Sequence, residues 1–206
     1  MNTVDVFRFL QKDIHTVVMA TVNEYGLPET RVIDVMLYDN EGIYFLTAKG
    51  KQFYDSLIKN NYISISGFKG NDTLSSVAIS VCGYVTELGD KLLDRIFAEN
   101  PYMNEIYPTI QSRQALTVFK LCNGMCEYFD LSKKPIERYN FSFGNTENIQ
   151  HGYFINNNCI ACGKCAEVCP QNCIAIDEQQ AMINHKNCLH CGNCLNICPA
   201  NAVERK

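Results

Sequence analysis

Cys159, Cys162, Cys165 and Cys169 recur 29 residues later as Cys188, Cys191, Cys194 and Cys198, and each run ends in a proline, Pro170 or Pro199. The neighbours repeat as well. Gly163 matches Gly192 and Asn172 matches Asn201, while Ile160, Val168 and Ile174 match Leu189, Ile197 and Val203. A duplicated unit with a pseudo-two-fold axis is expected. Ile174 to Ile176 and Met182 to Asn184 would form a small hairpin between its halves, around residues 177–181. Nine of the twelve cysteines lie between Cys159 and Cys198. Thiols at short fixed spacing point to metal rather than to scattered disulfides. The N-terminus shows no basic segment leading into an apolar run, as a signal peptide would. No apolar stretch is long enough to span a bilayer, so a cytoplasmic location is expected.

Both runs spell C-x2-C-x2-C-x3-C-P, in which three cysteines wrap one cubane and the fourth points to the other cluster. The pattern resembles that of bacterial two-cluster ferredoxins over about residues 150–206. It implies one [4Fe–4S] cluster on Cys159, Cys162, Cys165 and Cys198, and a second on Cys188, Cys191, Cys194 and Cys169. A zinc module fits poorly, because closed zinc sites use four ligands as separated pairs. Gly163 and Gly192 would let backbone N–H groups approach cluster sulfur, where hydrogen bonds help set potential. Cys173 aligns with Ala202 in the repeat and reads as a small buried residue rather than a ninth ligand. Cys82, Cys122 and Cys126 read as packing residues, and His190 as a surface histidine.

Upstream, cysteine density falls and strand patterns take over. We expect domains at 1–145 and 146–206, with the polar stretch Gly144 to Asn148 as linker. A short helix begins the chain, with Val4, Phe7 and Leu10 at helical spacing and Thr3 as its cap. Strands follow at Thr16 to Val22, Thr30 to Tyr38, Ile43 to Thr47, Tyr62 to Phe68 and Val77 to Glu87. Helices are expected over 51–60, with Phe53, Leu57 and Ile58 on one face, and over Lys91 to Ala98. Leu116 to Cys122 and Cys126 to Leu131 flank Asn123-Gly124-Met125, a hairpin-turn signature. Many antiparallel strands with a few short helices suggest a barrel. The net charge of −4 offers no footprint for nucleic acid.

Two stretches carry a second resemblance. Met19-Ala20-Thr21-Val22-Asn23-Glu24-Tyr25-Gly26-Leu27-Pro28 leads into Thr30-Arg31-Val32-Ile33. Gly42-Ile43-Tyr44-Phe45-Leu46-Thr47-Ala48 leads into Lys51-Gln52-Phe53-Tyr54. Over roughly residues 4–130 the chain resembles the pyridoxamine-5′-phosphate-oxidase-like FMN-binding split barrels. The resemblance implies a mainly β split barrel followed by a small α+β ferredoxin-like domain. It also implies bound FMN and a homodimer. Arg31 offers a planar fork for phosphate and Lys51 a point charge at a helix start. Backbone atoms of Val32, Ile33 and Ala48, the Thr47 hydroxyl and Gln52 are implied at the flavin. Gln111 to Gln114 would reach a partner's flavin. Met36 stands about where true pyridoxamine phosphate oxidases carry a second basic residue, and their C-terminal substrate segment is missing. Vitamin B6 oxidation is therefore not carried over.

FMN takes two electrons together, whereas a [4Fe–4S] cluster handles one. Joined, they make a short relay to an unknown substrate or to a soluble electron-transfer protein. His15, Tyr25 and Tyr107 are candidate proton donors. Three alternatives stay open: an electron carrier or redox sensor without turnover, a barrel for haem or a deazaflavin, and a barrel that serves only as a dimerisation scaffold.

Overall fold

The computed structural model describes residues 1–147 and 149–206. Asn148, the last residue of the expected linker, lies outside the described residues. The chain divides into two compact units, one of residues 1–69, 78–127 and 141–148, the other of 70–77, 128–140 and 149–206.

In the first unit, helix α1 (Thr3–Phe9) is capped by Asn2, not by Thr3. The Asn2 side chain accepts from the Asp5 backbone N–H, and the Asp5 carboxylate accepts from that of Asn2. Asx residues fill this role better than threonine because their short oxygen reaches the free first-turn donors. Val6, Phe7 and Leu10 are fully buried. A π-helical turn, Leu10–Ile14, then delivers the chain to His15, whose φ is +63°.

Strand β1 (Thr16–Val22) pairs antiparallel with β2 (Pro28–Asp34) and with β5 (Tyr62–Lys69). β3 (Leu37–Asp39) pairs with β4 (Gly42–Ala48), and β4 pairs with the 15-residue β7 (Leu116–Asp130). With β6 (Val77–Gly89) the sheet order is β2-β1-β5-β6-β7-β4-β3, and β8 (Glu137–Phe143) adds to β7. The two ends of that order are consecutive in the chain. The expected single strand Thr30 to Tyr38 is broken at Val35-Met36, where the partner changes. The Val35 N–H donates to the His15 carbonyl, and the Met36 N–H to that of Tyr44. One segment thus serves both edges, which is how a sheet turns into a barrel.

The interior follows strand alternation, with Val17, Met19, Ile63, Ile65 and Ile79 buried. Phe45 and Phe119 face each other in register with ring centroids 5.6 Å apart. A second apolar layer lies under helix α3 (Leu93–Glu99) and the single turn α4 (Met103–Ile106). Ile96, Phe97 and Met103 pack there with Met36, Leu37, Tyr44 and Val118. Helix α2 (Gln52–Lys59) buries Phe53, Ser56 and Leu57, while Ile58 is 54% exposed. The expected face was therefore one position off, because the Ser56 hydroxyl turns back onto the Gln52 carbonyl and lets the helix lie close.

The expected hairpin at Asn123-Gly124 does not form, and β7 runs straight through it. A Cβ added at Gly124 would run into the Cys82 carbonyl and meet Gly83 Cα at 2.8 Å. The glycine is there for close approach of two backbones, not for a turn.

In the second unit, β9 (Tyr153–Ile155) pairs with β12 (Val203–Arg205), and β10 (Ile174–Ile176) with β11 (Ala181–Ile183), the expected hairpin. Single turns α6 (Lys164–Glu167) and α7 (Asn193–Ile197) occupy matching places in the repeat. The backbone repeats too: φ is +51° at Ala161 and +57° at His190, +78° at Gly163 and +82° at Gly192, +49° at both Asn172 and Asn201. Asparagine tolerates that left-handed region better than most side chains. No helix among the described residues is long and apolar enough to cross a membrane.

Candidate functional site

In the second unit, a small cavity is lined by Cys169 together with Cys188, Cys191 and Cys194. Its other walls include Tyr153, Ile174, Ile183 and Leu189. A cysteine of the first run thus stands among three of the second, the crossed set expected from spacing. Backbone donors already face sulfur. The Ala181 N–H lies 3.3 Å from Cys159 Sγ, that of Ala202 3.2 Å from Cys198 Sγ, and that of His190 3.4 Å from Cys188 Sγ. Such donors stabilise thiolate, the form that binds metal. Burial acts the other way on Cys194 and pushes its thiol up to about 11. A cluster would have to replace that proton. Gly192 is required here, since a Cβ would meet the Tyr153 hydroxyl at 2.8 Å. The donor set and the apolar wall fit an iron–sulfur cluster.

His190 is not free on the surface. It is half-buried, with Nδ1 3.1 Å from the Arg138 guanidinium. Burial first, and then the Arg138 charge, lower its pKa. Cys173 is buried as expected, but its Sγ lies 3.4 Å from that of Cys169. A clue was legible: the repeat fails at this position, with Cys173 against Ala202. Of the remaining thiols Cys126 is buried, while Cys82 and Cys122 are half-exposed on the sheet.

In the first unit, the residues expected at a flavin fall in two groups. Arg31 reaches the first turn of α2, and Lys51 precedes that helix. The Arg31 guanidinium stacks 4.4 Å above the Phe53 ring, and Lys51 is the exposed residue that precedes the helix. Gln52 opens the helix and is exposed. Arg31 already has an anionic partner in Glu29, at 2.8 Å, so a phosphate would have to share it or displace it. Val32 is 68% exposed, and Ile33 is half-buried. Thr47 is buried, and its Oγ1 is without a hydrogen-bond partner among the described residues. Ala48 ends β4 beside it. Two cations beside free helix-start N–H groups suit a phosphate, and an unpaired hydroxyl suits a polar ligand edge. Met36 is buried in the second apolar layer.

Arg113, in the single turn Ile110–Arg113 (α5), lies 3.9 Å over Phe97 and donates to the Tyr107 carbonyl and the Asn104 side chain. Tyr25 is 77% exposed, and Tyr107 packs against the second apolar layer. His15 belongs to a network that sequence reading missed. Its Nε2 lies 3.1 Å from the Tyr102 hydroxyl, which donates to Asp34 at 2.6 Å. No spacing rule links residues 15, 34 and 102.

Comparison with known proteins finds matches over both ends of the chain. A family model described as pyridoxamine 5′-phosphate oxidase matches residues 5–122. A 4Fe-4S dicluster model matches 158–202, and a second one matches 117–174. No curated protein matches. Similar solved structures include a NimC/NimA family protein of Clostridium acetobutylicum, at 18% identity and TM-score 0.56, over 68% of this chain and 90% of that one. Another is a haem-binding protein of Mycobacterium smegmatis, at 12% and 0.54, over 72% of this chain and 62% of that one. A third is a general-stress-protein-26-related member of the pyridoxinephosphate oxidase family from Clostridium acetobutylicum, at 16% and 0.52, over 68% and 93%. At such identities the likeness is one of fold.

Proposed function

Because the chain belongs to the pyridoxamine 5′-phosphate oxidase family and carries a 4Fe-4S dicluster segment, we propose that it is an iron–sulfur flavoprotein that relays electrons between two [4Fe–4S] clusters and FMN, and on to a substrate or partner protein. The observation that supports this reading is the stacking of Arg31 on Phe53 in the first turn of α2, the helix that Lys51 precedes, in a chain whose other unit gathers Cys169 with Cys188, Cys191 and Cys194 around one cavity.

Residues 1–145 would hold the flavin and residues 146–206 the clusters. Bound FMN supplies exchange between paired and single electrons. Arg31 and Lys51 would bind its phosphate, Thr47 and the backbone of Val32, Ile33 and Ala48 would orient its ring edge, and Gln52 would face the phosphate from the first turn. Cys159, Cys162, Cys165 and Cys198 would ligate one cluster, and Cys188, Cys191, Cys194 and Cys169 the other. The chain works as a homodimer in this reading. An exposed strip on the sheet supports that: Val18 faces Val32 in register, and on the neighbouring strands Tyr62 packs edge-on against Tyr84, all four at least 42% exposed. A second copy would cover such a surface. V18E should then yield folded monomer in light scattering, and an unchanged dimer would count against the strip.

The first test is cofactor content after anaerobic purification. One FMN with about eight irons and eight sulfides per chain is expected, and R31M should lower FMN affinity about tenfold, as loss of a charge-assisted contact does. Irons without flavin, and no uptake of added FMN, would overturn the flavin half. A Soret band would assign the barrel to haem.

A further inference from the structure

The two halves of the repeat make matching contacts to the fourth cysteine of each run, with one chemical difference. In the second half the Ala202 N–H donates to Cys198 Sγ at 3.2 Å. In the first half the backbone of Cys173, with those of Gln171 and Asn172, hydrogen-bonds to the Cys169 sulfur. Ala202 then ends in a methyl group, whereas Cys173 ends in a thiol whose sulfur lies 3.4 Å from Cys169 Sγ. Both residues are buried, Ala202 at 1% exposure and Cys173 at 7%. Cys173 also lines the cavity that holds Cys169, Cys188, Cys191 and Cys194.

Between two free thiols either sulfur could be the donor. Ligation removes that freedom. Cys169 bound to iron is a thiolate and has no proton to give, so the bond can only run from the Cys173 S–H to Cys169 Sγ. A thiol is a weak donor in water, but it counts for more in an apolar site. Reduction adds one electron and one negative charge to the cluster. A donor on a ligand sulfur therefore holds the reduced form more strongly than the oxidised form.

We propose that Cys173 is a tuning residue rather than a ligand: its S–H···S bond to Cys169 raises the reduction potential of the cluster held by Cys169, Cys188, Cys191 and Cys194 above that of the cluster held by Cys159, Cys162, Cys165 and Cys198. One electron arrives, and the proton stays on Cys173. The two clusters become inequivalent, with a downhill direction between them. The inference rests on the crossed ligand set of the proposed function.

The internal repeat supplies the variant. C173A gives the first half the side chain that the second half already has, in the intact chain. C173S keeps a donor of similar size. The measurement is an EPR-monitored redox titration with iron content determined on the same samples. C173A should lower one midpoint by about tenfold in the reduction equilibrium, or ~59 mV for a one-electron couple, and leave the other in place. C173S should hold that midpoint at or above the native value, because a hydroxyl donates more strongly. Resonance Raman should show the deuterium sensitivity of one set of Fe–S(Cys) bands disappear in C173A. Full iron with unmoved midpoints would overturn the inference alone. So would equal shifts in C173A and C173S, which would mark a packing role, or loss of about four irons in C173A, which would make Cys173 a ligand. Native protein that takes up no iron would overturn the cluster reading and this inference with it.

Discussion

Single atoms decide two features of this molecule. At Gly124 the absent Cβ leaves room for the Cys82 carbonyl and for Gly83 Cα. G124A should cost about 1–3 kcal/mol, the range for overpacking a tight interior, read as a lower midpoint in chemical denaturation. At Cys126, burial pushes the thiol up to about 12. Alkylation needs thiolate, so in native protein at pH 8 iodoacetamide should leave Cys126 unmodified, and unfolding in urea should expose it. At this scale the placing of Cys169 among Cys188, Cys191 and Cys194 was legible, because the spacing of each run turns its fourth thiol toward the other run. The Arg31–Glu29 pair and the Cys173–Cys169 contact were not. Both depend on where a side chain ends, and spacing says nothing about that.

Most strands were legible because one face of each is buried, and period-two alternation records it. The errors share a cause. Asn123-Gly124 carries the local chemistry of a turn, yet β6 and β7 cross closely at Gly83 and Gly124, and that tertiary demand overrides it. The break at Val35-Met36 is likewise invisible locally, since the residues stay extended and only their partner changes. The far end of β7 offers a test through Tyr128. Burial raises its phenol to about 12, and the neighbouring Asp130 carboxylate adds to the shift. A folded value above the unfolded value of about 10 means a stabilising contribution that is complete below pH 10 and is lost as pH rises from 10 to 12. Thermal midpoints should fall across that window, and Y128F should flatten the fall.

At the scale of the whole chain, two compact units depend on different forces. The first has a large apolar interior around Phe7, Phe45 and Phe119. The second has a small apolar cluster to which seven cysteines of the duplicated segment contribute, four of them only half-buried and the other three lining the cavity, so metal–thiolate bonds are expected to supply much of its stability. Iron removal by a chelator should therefore melt the second unit while the barrel persists. Two separated calorimetric transitions should appear, the lower of which returns to higher temperature on cluster reconstitution. A single unchanged transition after complete iron loss would contradict this.

Gly152 and Lys206 exchange a reciprocal pair of backbone hydrogen bonds, at 2.9 and 3.0 Å, where β9 and β12 meet. The duplicated segment therefore starts and finishes at neighbouring points in space. A segment shaped like that is portable. It can be spliced into a surface loop of an unrelated host without prying the host's strands apart, since the host has to bridge only the width of one strand pair. What would stay behind is also identifiable: the Arg138 contact to His190 and the Ile136 carbonyl that accepts from Asn187. A transplanted segment would have to do without both, and its redox behaviour in a foreign loop would report how much of its character is its own.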